Sequence, residues 1–148
     1  MDNKRDLFQT LTRRFGLLNK NCCTAEGIEI STVHSHILYE IRKQHSPTMQ
    51  QIADTLAIDV TTFSRQIQTL IKMQLVSKSP SLDDKRFYNL SLTEEGHKLA
   101  QSIETAMNAY LDEIFSHMNE FEQETVLRSI KLLNNAMAKS SVCCTPYL

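Results

Sequence analysis

Two short apolar-faced segments, each opened by a capping residue and separated by a tight turn, constrain this chain more than any other feature. Thr48 followed by Gln51 is a capping-box pattern, and Met49, Ile52, Ala53 and Leu56 supply the inward face of a short helix behind it. The turn occupies residues 57–59. Asp59 then makes a good N-cap for a second helix whose inward residues are Phe63, Ile67, Leu70 and Ile71. The opposite side of this helix, Thr61, Thr62, Ser64, Arg65, Gln68 and Lys72, is polar and hydrogen-bonding. Past Gln74 the helical period stops. A short strand over residues 75–78 leads into a loop by composition, residues 79–84, and Tyr88, Leu90 and Leu92 then alternate with Asn89 and Ser91 as a half-exposed return strand. Residues 75–92 therefore predict a small hairpin with a charged tip.

The flanking segments predict helices. Leu7, Leu11, Phe15 and Leu18 form an amphipathic stripe from about Asp2 to about Lys20, followed by a break over residues 21–30. Ser31 can cap a helix with the apolar face Val33, Ile37, Leu38 and Ile41, which stops before Ser46-Pro47 because proline disfavours helical geometry in the residue before it. Thr93 caps a further helix with Glu94-Glu95 in its first turn and a stripe of Leu99, Ile103, Met107, Tyr110, Leu111, Ile114 and Phe115. After a break near Asn119, a final helix uses Phe121, Leu127, Ile130, Leu133 and Met137, and residues 140–148 read as a loosely ordered tail. Terminal helices this long need a partner surface. With only 3 Gly and 3 Pro in 148 residues and 41% hydrophobic content, the expectation is one mainly α domain spanning residues 1–148.

Charge is divided along the chain. The formal net charge is only −1, yet residues 60–86 carry Arg65, Lys72, Lys78, Lys85 and Arg86 against Asp83 and Asp84. Residues 94–124 reverse the balance, with eight acidic residues against Lys98. Such a division suits a polyanion-binding module on an acidic frame. Two short helices followed by a charged hairpin make a winged helix-turn-helix, and the second helix has the size to enter the major groove of double-stranded DNA. Arg65 can bond guanine or phosphate, Gln66 and Gln68 can reach adenine edges, and Thr61, Thr62 and Ser64 can bond phosphate oxygens, with Lys72 on the same outer side. At the wing, Lys85 and Arg86 are the basic residues, and Arg86 is the better candidate for a narrow minor groove. Leu82 sits at an exposed-looking site, with few positive charges before Lys85.

On these residues the chain resembles the MarR family. Gln50-Gln51-Ile52-Ala53-Asp54-Thr55-Leu56, Thr62-Phe63-Ser64-Arg65-Gln66-Ile67, Leu70-Ile71 and Leu75-Val76 look like its helix-turn-helix, and Asp84-Lys85-Arg86, Leu90, Leu92-Thr93 and Glu95-Gly96 look like its wing and the helix entry that follows. The resemblance implies a winged helix-turn-helix over about residues 31–96, framed by dimerisation helices over about residues 1–30 and 97–140. It also implies a homodimer that binds a palindromic operator, usually as a repressor, with Arg86 in the minor groove and Asp84 orienting the wing.

The four cysteines come as adjacent pairs, Cys22-Cys23 and Cys143-Cys144, unlike the dispersed spacing of a secreted disulfide scaffold. The resemblance brings both regions to the dimer interface. There they could bind a soft metal ion or a trivalent metalloid as effector, or act as an oxidation sensor, as some relatives do through a cysteine near the first helix. The bland readings are small apolar packing, or release by an unrelated organic ligand in the dimer cleft. His34 and His36 lie close enough in sequence to Cys23 to join a metal site, but a two-residue step on a helix does not put both rings on one side. His97 and His117 are more isolated.

The charged opening residues and the lack of a long apolar run predict neither a signal peptide nor a membrane span, hence a cytoplasmic protein without a membrane partner. No phosphate-cradling glycine loop, Ser-His-acid grouping or helical zinc-protease motif is visible, so no enzyme and no required cofactor are expected. A winged helix that docks on protein would carry an aromatic or aliphatic anchor on its outer face, where this chain has hydrogen-bonding groups and Arg65.

Overall fold

The computed structural model describes residues 3–15, 23–25 and 27–140. In chain order the elements are α1 (Lys4–Arg14), β1 (Cys23–Ala25), β2 (Ile28–Ile30), α2 (Thr32–Gln44), α3 (Met49–Thr55), α4 (Val60–Lys72), β3 (Val76–Pro80), β4 (Tyr88–Leu92), α5 (Glu94–Ser116) and α6 (Glu120–Ala138). The strands form two antiparallel hairpins, β1 with β2 and β3 with β4. The fold is mainly helical with a small β-hairpin wing, as the periodicities predict. Residues 3–104 and residues 105–140 fall into separate compact units, the division lying within α5. No described helix is long and apolar enough to cross a membrane.

Helix boundaries follow local capping chemistry. Ser31 accepts from the His34 backbone N–H and Asp59 from that of Thr62, while Thr48 with Gln51 and Asn119 with Glu122 close reciprocal capping boxes. The Thr93 hydroxyl accepts from the Gly96 N–H at 3.0 Å and donates to the Gln74 carbonyl at 2.7 Å. Each of these side chains satisfies an amide that the first turn of a helix leaves without an internal partner.

The core of the first unit joins Ile30, Ile37, Leu38 and Ile41 to Ile52 and Ala53 of α3, Phe63, Ile67 and Leu70 of α4, and Leu75, Val76, Leu90, Leu92 and Leu99 around the wing. Met49 and Leu56 pack partly buried against it. Two residues assigned to inward faces are exposed instead: Val33 and Ile71. At 100° per residue each lies roughly 70–90° away from the buried stripe of its helix, on the flank rather than the floor.

Three further details depart from the sequence reading. Helix α1 closes at Arg14 with Phe15 as its C-cap; the expected end near Lys20 lies outside the described residues. The expected break over residues 21–30 contains the β1–β2 hairpin, where Cys23 pairs with Ile30 and Gly27 turns the chain at a φ of 73°. Strand β3 begins at Val76 and continues through Ser79 and Pro80, residues assigned to the loop, because Pro80 stands at the strand's last position, where its missing N–H interrupts no ladder. The loop is accordingly confined to residues 81–87. Of the tail, only Ser140 is described; residues 141–148 lie outside.

Candidate nucleic-acid interface

Helices α3 and α4 are joined by a turn whose geometry is set by hydrogen bonds rather than by glycine. Ala57 takes a left-handed φ of 53°, the Ala57 N–H donates to the Asp54 carbonyl at 3.1 Å, and the Ile58 N–H donates to the Ala53 carbonyl at 3.0 Å. The same closure recurs at the end of α4. Gln74 has a φ of 62°, with its N–H on the Ile71 carbonyl and the Leu75 N–H on the Leu70 carbonyl. These paired bonds satisfy the last helical carbonyls and turn the chain sharply. Ile58 and Leu75, which follow the turns, pack into the core and hold them.

With Phe63, Ile67 and Leu70 buried, α4 turns Thr61, Thr62, Arg65, Gln68 and Lys72 outward as exposed side chains, and Ser64 is half-buried on a flank. Asp59 holds the N-terminal turn. Hydrogen bonds from Thr62, first from its side chain and then from its backbone N–H, keep the Asp59 carboxyl below its ordinary value of 3.8, so the cap stays charged at neutral pH and is lost only as the pH falls through that lowered value. Gln66 stands apart from this outer group. It lies half-buried on the α2 side of the helix, with its Oε1 2.7 Å from His34 Nε2. Thr69 belongs to the exposed surface too, its hydroxyl donating to the Arg65 carbonyl at 3.2 Å. Helical spacing alone would have placed it there, since it follows Arg65 by one turn.

The wing is pinned to the body. Val76 pairs with Leu92 and Pro80 with Tyr88, and the Leu90 N–H donates to the Pro47 carbonyl at 2.8 Å, so the α2–α3 connection backs β4. At the tip the Asp84 carboxylate accepts from the Arg86 backbone N–H at 3.0 Å and from the guanidinium through Nε and Nη2, the latter at 2.8 Å. The Arg86 hydrogen bonds hold the Asp84 carboxyl below its ordinary value, and Asp84 in turn raises Arg86 above its own. Among the described residues no hydrogen bond uses Arg86 Nη1, and the side chain is 85% exposed. A bidentate clamp thus fixes one edge of a planar cation and presents the other outward. Lys85 is exposed beside it, and Leu82 is fully exposed. On the open face of the hairpin, Lys78 lies over the Tyr88 ring at 4.2 Å from its centroid. The alternation of the strand predicts that exposure, whereas the charge balance of residues 60–86 assigns Lys78 no site.

Residues 30–87, the segment that carries this geometry, match the family model described as MarR family. Over that segment the chain is similar to the MarR family. The HTH-type transcriptional regulator PapX of Escherichia coli is 29% identical over 94 residues, covering 64% of this chain and 57% of its own length. The HTH-type regulator YhbI of Bacillus subtilis is 28% identical over 76 residues, covering 51% and 49%. This chain thus aligns with about half the length of these two curated relatives. Among solved structures, Streptococcus pneumoniae FabT in complex with DNA superposes with a TM-score of 0.80 at 19% identity, covering 92% of this chain and 98% of that one. The Staphylococcus aureus MepR–DNA complex gives 0.76 at 20% identity, covering 93% and 99%. These two likenesses show that the shared fold extends beyond the segment matched in sequence.

The sensor residues assigned from sequence stand differently. Cys22, Cys143 and Cys144 lie outside the described residues, and Cys23 contributes its backbone to β1. Of the two histidines considered as ligands, His36 is exposed, whereas His34 is half-buried against Gln66. Among the described residues no three His, Cys, Asp or Glu side chains converge on a common point.

Proposed function

We propose that this protein is a DNA-binding transcriptional regulator, acting as a homodimer on a palindromic operator and repressing it. The observation that carries the reading is the clamped Arg86 at the wing tip, held on the same compact unit as the polar outer face of α4. The helix reads base edges in the major groove through Arg65 and Gln68, with Thr61, Thr62 and Ser64 on phosphates and Lys72 on the same outer side. Arg86 enters the adjacent minor groove with its guanidinium plane already set by Asp84, and Lys85 adds a phosphate contact. FabT and MepR, which share the fold, are solved in complex with DNA, and this supports the DNA-binding reading.

The dimer is supported by apolar side chains that each unit leaves in water. Leu7, Phe8, Leu11 and Phe15 are exposed on and just after α1, and Phe121, Leu127, Ile130, Leu132, Leu133 and Met137 on α6. Monomeric proteins rarely leave so many large apolar groups uncovered, and a second copy of the chain would cover them.

The test is fluorescence anisotropy of the protein on duplex DNA from its own promoter, across a salt series. Tight binding that falls steeply with salt is expected, and a salt-insensitive signal would count against a phosphate-tracking interface. Arg86→Ala is expected to weaken binding about 10- to 100-fold at fixed salt while leaving the sedimentation coefficient unchanged, from the worth of a single well-oriented groove contact. Unaltered affinity would remove the wing from the mechanism.

Release from DNA is proposed to run through the Cys22-Cys23 and Cys143-Cys144 pairs, by binding a soft metal or trivalent metalloid or by oxidation; the adjacency of the thiols in the sequence supports it. Replacing all four with serine is expected to leave operator affinity within about twofold and to abolish release by arsenite, zinc, copper or peroxide. If none of these agents releases the native protein, an organic ligand is the effector.

A further inference from the structure

The position of Gln66 in the sequence points to adenine readout, and its surroundings argue for a different base. Adenine is read by a side-chain amide that uses both its ends, the carbonyl oxygen accepting from N6 and the NH2 donating to N7. In this protein the Gln66 carbonyl oxygen is already engaged by His34 Nε2 at 2.7 Å. A carbonyl oxygen can only accept, so Nε2 must carry the proton; both the neutral Nε2–H tautomer and the imidazolium satisfy this. The oxygen keeps a second lone pair, but the contact turns it toward α2, so the NH2 at the other end of the amide is the group left for a base, and it can only donate.

The contact is built from two elements 32 residues apart, α2 and α4. His34 sits in the first turn of α2, where its backbone N–H is held by the Ser31 hydroxyl at 3.2 Å, which fixes the origin of the imidazole. Ile37 and Leu38 behind it, and Ile67 beside Gln66, are buried in the common core, so neither helix can turn to release the pair. A half-exposed hydrogen bond of this kind adds little to stability, but it freezes an amide that would otherwise rotate to offer either end.

We propose that His34 is a positioning residue for base selection: by holding the Gln66 carbonyl oxygen it makes Gln66 a donor-only reader that favours guanine over adenine at one position of each half-site. Guanine presents two neighbouring acceptors, N7 and O6, in the major groove, whereas adenine places a donor, N6, where the committed carbonyl would have been needed. The proposal rests on the DNA-binding reading above and refines it at a single side chain.

The experiment starts with a duplex selected by the native protein from a randomised library, followed by affinities for every single base-pair variant of that duplex. His34→Ala is expected to shift the preference at one position per half-site from guanine toward adenine by about tenfold, leaving the other positions unchanged. Gln66→Leu should flatten the same position and make His34→Ala silent in the double variant. A uniform loss of affinity across all duplexes on His34→Ala, or an unchanged profile, overturns the proposal, since a merely structural strut would act on every sequence alike. Should His34→Ala not fold by circular dichroism, Gln66→Leu decides: loss of a guanine preference sustains the proposal, and loss of an adenine preference or no change overturns it. A native protein that selects no sequence from the library overturns this proposal and the DNA-binding reading together.

Discussion

Gly96→Ala is expected to destabilise the winged helix by about 3 kcal/mol or more, at the upper end of what overpacking costs. A Cβ at Gly96 would fall inside the contact radius of the Leu75 carbonyl oxygen and against its carbon. That carbonyl has nowhere to go. It accepts the Thr93 N–H at 3.0 Å, and the preceding Gln74 is held in a left-handed turn with its carbonyl bonded to the Thr93 hydroxyl. The start of α5 would have to lift off the α4–β3 junction, breaking both bonds and exposing Leu99 and Leu92, which are buried beside it. Against a total stability of about 5–15 kcal/mol for an ordinary domain, the loss is large. Urea unfolding followed by circular dichroism measures it; a midpoint equal to that of the native protein would show that α5 can retreat without cost. Gly27 provides the control, because a Cβ there meets nothing within 4 Å and Gly27→Ala is charged only for its φ of 73°, about 1–2 kcal/mol.

Phe63→Ala is the second large effect. Phe63 is fully buried, the largest side chain in the core that seats α4, and its truncation leaves a cavity that costs about 3–5 kcal/mol. It touches no DNA in the proposed complex, yet the orientation of Arg65 and Gln68 on the opposite side of the helix depends on it. Stability and operator affinity are therefore expected to fall together in Phe63→Ala, while Phe63→Leu retains most of both. A Phe63→Ala protein with native affinity and a native unfolding midpoint would mean that the helix is seated by other contacts.

Much of the helix-turn-helix is legible in the chain because the signals are local. Thr48 with Gln51, Asp59 and Thr93 act on amides three residues away, and the stripe Phe63, Ile67, Leu70 needs only the helical period to find the core side. The same locality explains what was misjudged. Val33 and Ile71 are apolar and near the stripe, so composition draws them inward, but the angular position that leaves them exposed is fixed by which neighbouring helix lies alongside. The turns at residues 57–59 and after Gln74 lie where the sequence places them, but their left-handed φ at Ala57 and Gln74 has no glycine to announce it and goes with Ile58 and Leu75 entering the core on the far side.

The candidate interface divides in the same way. The sequence by itself determined the outward set on α4, since a helical face is short-range; that Asp84 orients the wing came from the family resemblance, and its clamp on Arg86 from the structure. Only the tertiary structure decided that Pro47 backs the wing strand at Leu90, that Gly96 must lack a side chain over Leu75, and that Gln66 is claimed by His34. Each of these joins residues 21 to 43 positions apart, and a local pattern carries no record of them; they arise where buried apolar faces fix the distance between elements and leave their polar groups to find whatever partner that distance allows.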